Sequence, residues 1–271
     1  MDYDEVIGAL TRWAQAEENV RALLLTGSAA AGQVHPLSDR DIEVYALDPA
    51  PLLAEDSWWN RLGEVLVVER LHAADWYPSR IVYYAGGKLD LTVIDAQLIG
   101  GLCRERPFRV LVDKDARAAQ LTLARPAAPL PTAADLEQAL HWGYSQALMC
   151  AKAAVREELW MAKVRDQGLK EQLLLFIEWD HRARYGPGFD TRYLGTRMGQ
   201  WMDLEVRQAL QECWGHLDAV DTAAALRASV ELFARLAVRV QARLGFEPFD
   251  HQKLRAEIEA ILATRPELAA R

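Results

Sequence analysis

Val6, Leu10 and Trp13 repeat at helical spacing through residues 4–17, behind Asp2 and Asp4 where helix starts are capped, so the chain opens with a predicted amphipathic helix. The apolar period then shortens. "VRALLLT" (20–26), "DIEVYAL" (41–47), "EVLVVER" (64–70), "RIVYYA" (80–85) and "KLDLTVID" (88–95) have strand length and β-rich composition, with Gly86-Gly87 as a hairpin turn between the last two. Helical periodicity returns over 136–163, 169–184, 197–215, 222–244 and 252–263, with "YGPGFD" (185–190) as the clearest break. Between the two regimes lies "ARPAAPLPTAAD" (124–135), whose three prolines fit neither a helix interior nor a central strand. The pattern predicts an α+β chain: an N-terminal domain with a mixed β-sheet over residues 1–128, followed by an all-α helical bundle domain over 129–271.

A chain of 271 residues is long enough for two cores. Hydrophobic content of 51% is ordinary, and no run approaches the ~18 apolar residues of a membrane span, so no membrane association is expected. The acidic start "MDYDEVIGAL" lacks the basic region and apolar stretch of a secretory signal, which makes the cytoplasm the expected location. Cys103, Cys150 and Cys213 are too scattered for a metal cluster and read as core thiols, and the tryptophans, Trp142, Trp201 and Trp214 among them, read mostly as core as well. A net charge of −8 without a basic, aromatic-laced stripe argues against nucleic acid and is compatible with a cationic ligand.

The acids around residue 40 bring in chemistry. Strand side chains alternate, so Asp39, Asp41 and Glu43 share one side while Ile42 and Val44 face the other. Clustered carboxylates repel, and a hard cation such as Mg²⁺ offsets that repulsion. The same alternation also describes a strand with one solvated face. Asp39 with Asp41, or Asp41 with Glu43, could form the metal pair, and the two apolar-facing positions that follow favour the first. Upstream, "ALLLT" delivers Gly27-Ser28 to the end of a strand, where backbone amides and a hydroxyl can hold a phosphate, and the ten residues "AAAGQVHPLS" can fold the two strands side by side.

Gly27-Ser28, ten residues, then Asp39-x-Asp41 with apolar positions following, resembles the signature of the polymerase-beta-type nucleotidyltransferase superfamily. That resemblance implies a third carboxylate on a later strand, which "KLDLTVID" supplies as Asp90. In detail the chain is similar to the aminoglycoside 6-adenylyltransferases, the streptomycin adenylyltransferase family, through "TGS", "SDRDIEVY", "GGKLDLTVID", "AKAAVREELWMAK" and "LKEQLLLFIEWDH" in that order. The resemblance implies a nucleotidyltransferase domain binding ATP and two Mg²⁺ ions through Asp39, Asp41 and Asp90, and a helical substrate-binding domain. Asp90 would also accept the proton of the attacking hydroxyl. The implied reaction transfers AMP to a hydroxyl of an aminoglycoside, streptomycin first, and releases pyrophosphate, an antibiotic-resistance type of activity. The family usually has a basic residue directly after Gly-Ser, where this chain has Ala29-Ala30-Ala31. Arg40 is the expected replacement at the phosphates, with Lys163 or Lys170 reaching the triphosphate from the helical domain.

Guanidinium groups of a streptomycin-like acceptor pair with carboxylates and stack on indoles, so Glu157, Glu158 and Trp160 in "VREELW" and Glu178, Trp179 and Asp180 in "IEWDH" are the expected contacts. Charged residues on a bundle are also ordinary solvated faces. The alternatives are a nucleotidyltransferase of the same mechanism acting on another small molecule or on a protein, and a non-catalytic nucleotide-binding module. A monomer or weak homodimer is expected.

Overall fold

Leu23, Leu25, Ile42, Val44, Leu89 and Leu91 alternate along three neighbouring strands and are all buried on one side of a sheet, which sets the architecture of the N-terminal half. The computed structural model describes residues 1–32, 35–72, 77–101, 103–124, 127–191 and 194–269. The middle of the loop before Asp39 and the 125–126 part of the proline-rich stretch lie outside that description, as does the side chain of Cys103, expected in the core. Two compact units are present, Met1–Pro126 and Ala127–Arg271, each with its own core.

In the first unit, α1 (Tyr3–Ala16) is capped by the Asp2 carboxylate, which accepts from the amides of Asp4 and Glu5. β1 (Val20–Thr26) is followed by α2 (Gly27–Ala30), a single turn opening the stretch expected to be a loop, and by β2 (Arg40–Ala46). The short helices α3 (Pro49–Ala54) and α4 (Ser57–Asn60) lead to β3 (Val65–Leu71), β4 (Ser79–Tyr84) and β5 (Gly87–Asp95). β4 and β5 form the expected hairpin, and Gly86 takes the left-handed φ of +79° that its turn requires. β6 (Cys103–Arg104) pairs with β8 (Thr122–Leu123), and β7 (Phe108–Asp113) joins the main sheet, whose order is β3-β4-β5-β2-β1-β7. β2 and β5 run parallel, and the other pairs in that sheet are antiparallel. β7 is not among the predicted strands because it is an edge strand, with Arg109 and Val110 both exposed and no clean alternation.

The two faces of this sheet differ. One carries Leu25, Ile42 and Leu89 against α1, Trp58 and Trp59. The other runs from an apolar end, where Tyr45 and Ile94 pack with Ile99 and Leu121, to an acidic end at Asp41 and Asp90. A period of two along both strands produces the gradient: 45, 43 and 41 on β2, and 94, 92 and 90 on β5.

The second unit is helical, as expected. α5 (Ala133–Val155) starts at a capping box between Thr132 and Asp135, and α6 (Leu159–Tyr185), α7 (Met198–Trp201), α8 (Leu204–Gln211), α9 (Ala219–Leu244) and α10 (His251–Ala263) follow. The break expected between 163 and 169 lies instead at 156–158, where Glu157 adopts φ +58°. Gly168 does not end a helix. It lets α6 approach α5, since a Cβ there would stand 3.0 Å from Gln146 Cγ. Tyr144, Phe176 and Phe233 form the centre of the core, and Cys150 and Cys213 are buried in it, the Cys150 thiol pushed up to about 12 by burial. The tryptophan expectation holds only in part, because Trp142, Trp160 and Trp214 are exposed while Trp58, Trp59 and Trp179 are buried. No helix among the described residues is long and apolar enough to cross a membrane.

Two buried histidines predict a pH dependence for the stability of this unit. His181 Nε2 accepts from the Asp203 amide at 3.0 Å while Nδ1 donates to the Ile177 carbonyl at 2.7 Å, which fixes a neutral ring. Burial holds the pKa of both His181 and His251 below the ordinary value. The unfolded chain therefore binds more protons than the folded one, and stability should fall as pH drops below about 6.5. The urea midpoint is expected to be lower at pH 6 than at pH 7.5, with a smaller difference in His251→Gln.

Candidate active site

Three strand ends meet at the acidic end of the sheet. Thr26, the last residue of β1, pairs with Asp41 of β2, and Asp41 pairs with Asp90 of β5. Gly27 follows Thr26 with φ +73°, and its amide donates to the Pro107 carbonyl at 2.8 Å, so the donors left at this corner begin with Ser28. Only glycine fits there. A Cβ would stand 2.6 Å from Asp41 Oδ2 and would also collide with the Arg106 guanidinium.

Two cations stand among the three acids. Lys88 Nζ donates to Asp39 Oδ2 at 2.8 Å and to Asp90 Oδ2 at 3.3 Å. Arg106 Nη2 donates to Asp41 Oδ2 at 2.8 Å. Asp90 Oδ1 is buried without a hydrogen bond, although Lys88 Nζ lies 3.1 Å away at an unfavourable angle. Burial raises the pKa of Asp90, and Lys88 opposes that rise. Burial works against the Lys88 ammonium, yet its bonds to Asp39 and Asp90 hold its pKa above the ordinary value.

The sequence pattern marks neither cation as part of a site. Lys88 was within reach, since it sits two residues before Asp90 on the same strand face. Arg106 precedes an unrecognised strand, and only the pairing of β7 with β1 brings it here. Arg40, expected at the phosphates, is not brought to the carboxylates: its guanidinium stacks on Tyr3, 3.9 Å from the ring centroid, and donates to the carbonyls of Ser38 and Asp39. Strand alternation turns it away from Asp41. Glu43, the alternative metal partner, is engaged by Arg104 and accepts from the Tyr45 hydroxyl at 2.8 Å.

Among the described residues no three His, Cys, Asp or Glu side chains are already gathered about one metal position. The donor set nonetheless suits a hard dication: three carboxylates, one with an orphaned buried oxygen, which attract side-chain cations in its place.

Residues 1–260 match the streptomycin adenylyltransferase family. The chain belongs to this family. It is an adenylyltransferase, a nucleotidyl-transferring enzyme that uses a nucleotide co-substrate. It is similar to the aminoglycoside 6-adenylyltransferase of Staphylococcus aureus, 23% identical over 202 residues that span 69% of this chain and 71% of that protein. It is also similar to the aminoglycoside 6-adenylyltransferase of Campylobacter jejuni, 24% identical over 141 residues, 48% of this chain and 46% of that protein. A crystal structure of an aminoglycoside 6-adenyltransferase from Bacillus subtilis aligns over 96% of this chain and 98% of its own, with 17% identity and a TM-score of 0.47.

In this adenylyltransferase the expected helical-domain residues do not form one cluster. Glu157, Glu158 and Trp160 lie at the exposed corner between α5 and α6. Glu157 pairs with Arg265, Glu158 with Arg156, and Trp160 is 80% exposed. Glu178, Trp179 and Asp180 lie inward on α6. Glu178 accepts from Arg182 at 2.9 Å, Trp179 packs against Phe176, and Asp180, only 1% exposed, accepts from Arg184 at 2.7 Å and from Arg239 at 2.9 Å. Trp179 and Asp180 are therefore not presented to a ligand. Helix α6 is covered by both α5 and α9, so a run such as "IEWDH" is enclosed rather than offered. Lys163 Nζ donates to the Gly215 carbonyl at 2.9 Å, and Lys170 is buried with Asp166 and Ser229.

Proposed function

We propose that this enzyme transfers AMP from ATP to a hydroxyl of an aminoglycoside, streptomycin being the first candidate, and releases pyrophosphate. The observation that carries this reading is the register that sets Asp41 opposite Asp90 on parallel strands, beside Gly27 at the end of β1. The named activity of the relatives supports the acceptor class. The nucleotide is assigned to the domain spanning residues 1–128 and the acceptor to the helical domain.

Asp39, Asp41 and Asp90 would hold Mg²⁺, two ions in this reading, which when bound neutralises triphosphate charge and steadies the leaving pyrophosphate. The chain's own residues do the rest. Ser28 offers its hydroxyl and amide to the phosphates at a corner that Gly27 keeps clear. Asp90 accepts the proton as the acceptor oxygen bonds to the α-phosphorus and the bond to pyrophosphate breaks. Its burial, which raises its proton affinity, suits a base better than a fully solvated carboxylate would be. At the α5–α6 corner, Glu157, Glu158 and the exposed indole of Trp160 match the charge and flat faces of guanidinium groups.

Pyrophosphate release from Mg-ATP, measured with streptomycin and a panel of other aminoglycosides, tests this. Release is expected to need the antibiotic and to vanish in Asp39→Asn and Asp90→Asn. Release with another aminoglycoside alone would move the acceptor, and release with none of them, from protein that binds Mg-ATP, would overturn the aminoglycoside assignment.

A further inference from the structure

Three carboxylates converge on the corner where the proposed triphosphate would bring about four more negative charges, so the phosphates need a cation from the protein as well as from metal. The described cations at this corner are Lys88 and Arg106. Lys88 is committed: it lies between Asp39 and Asp90, with a side chain only 21% exposed. Arg106 is placed differently. Its side chain is 58% exposed, it turns one edge to Asp41, and its guanidinium fills the space that a Cβ on Gly27, the neighbour of Ser28, would take. A guanidinium has five N–H donors, and Asp41 takes only two of them, at 2.8 and 3.5 Å.

We propose that Arg106 is the phosphate-binding cation of the nucleotide site and that it shares Asp41 with the metal by turns. Without a nucleotide it neutralises Asp41. When a dication takes that carboxylate, the guanidinium is released a short distance above Gly27-Ser28, where its planar fork matches phosphate oxygens. Pro107 fixes the hinge of this arrangement, because its carbonyl accepts the Gly27 amide and so ties the residue after Arg106 to the same corner. The inference rests on the nucleotide-binding reading above and adds the residue that contacts the phosphates.

The experiment is equilibrium binding, without acceptor, of Mg-ATP, of Mg-tripolyphosphate and of Mn²⁺ alone to the wild type, Arg106→Ala and Arg106→Lys. Arg106→Ala should weaken ATP and tripolyphosphate by the same factor, about 10- to 100-fold for one charge-assisted pair, with Arg106→Lys in between. Mn²⁺ alone should bind Arg106→Ala as tightly as the wild type or more tightly, because a competitor for Asp41 has gone. Unchanged ATP affinity in Arg106→Ala overturns the inference and leaves the functional reading standing. Parallel loss of ATP and Mn²⁺ affinity also overturns it, since that marks general damage to the site. A wild type that binds neither ATP nor tripolyphosphate overturns the inference together with the reading beneath it.

Discussion

Asp41→Asn should lower the rate of adenylyl transfer by about 10³-fold or more, the scale of the several kcal/mol of transition-state charge stabilisation that a metal site supplies. The effect is expected to be large because Asp41 is the hub of the acid cluster. It pairs with Asp90 on one side and Thr26 on the other, and its carboxylate lies against Gly27. Asparagine keeps the shape and removes the charge, so the variant should fold with a melting temperature close to that of the wild type. Glu43→Gln is the contrast, since Glu43 is occupied by Arg104 and Tyr45. It should leave far more activity. Turnover by both variants, measured beside their melting curves, checks the expectation, and equal losses would move the metal pair to Asp41 and Glu43.

Asp180→Ala should have the largest effect on stability, about 3 kcal/mol, at the low end of what breaking a buried ion pair costs. The carboxylate is almost fully enclosed, joins α6 to α9 through Arg239, and also holds Arg184 one turn on along its own helix. Its loss leaves those guanidiniums with Asp203 and Glu205, which are nearer to solvent, and that is why the upper end of the range is not expected. A fall in the urea midpoint without a change in slope would report it. If Asp180 contacted the acceptor instead, the variant would keep its stability and lose affinity for the proposed acceptor.

The acids were legible in the sequence because a strand repeats every two residues, and that period alone separates Asp39 and Asp41 from Ile42 and Val44. The same rule places Lys88 with Asp90. Arg106 was not legible, since its position depends on an edge strand returning to β1 across about 80 residues, and no local pattern encodes that return. In the helical half, α6 misled because it carries buried charge, including Asp166, Lys170, Asp180 and Arg182, so polarity on it does not mark a solvent-facing side. The interruption of the helical pattern between 163 and 169 is not a break, and Gly168 within it is a point of close helix contact.

Asp39 and its shared cation Lys88 are 49 residues apart in the chain, and β3 and β4 are made between them. The acid cluster therefore does not exist on any shorter piece of the chain. It comes into being when β5 docks along β2 at the centre of the sheet. Whatever binds there draws on the free energy of that docking and returns it as stability, so ligand occupancy closes a clasp across the sheet's central seam. In the proposed metal-binding reading, a newly made chain would gain its affinity for a dication and its resistance to unfolding in a single event, and a protease challenge timed against metal uptake would see one transition.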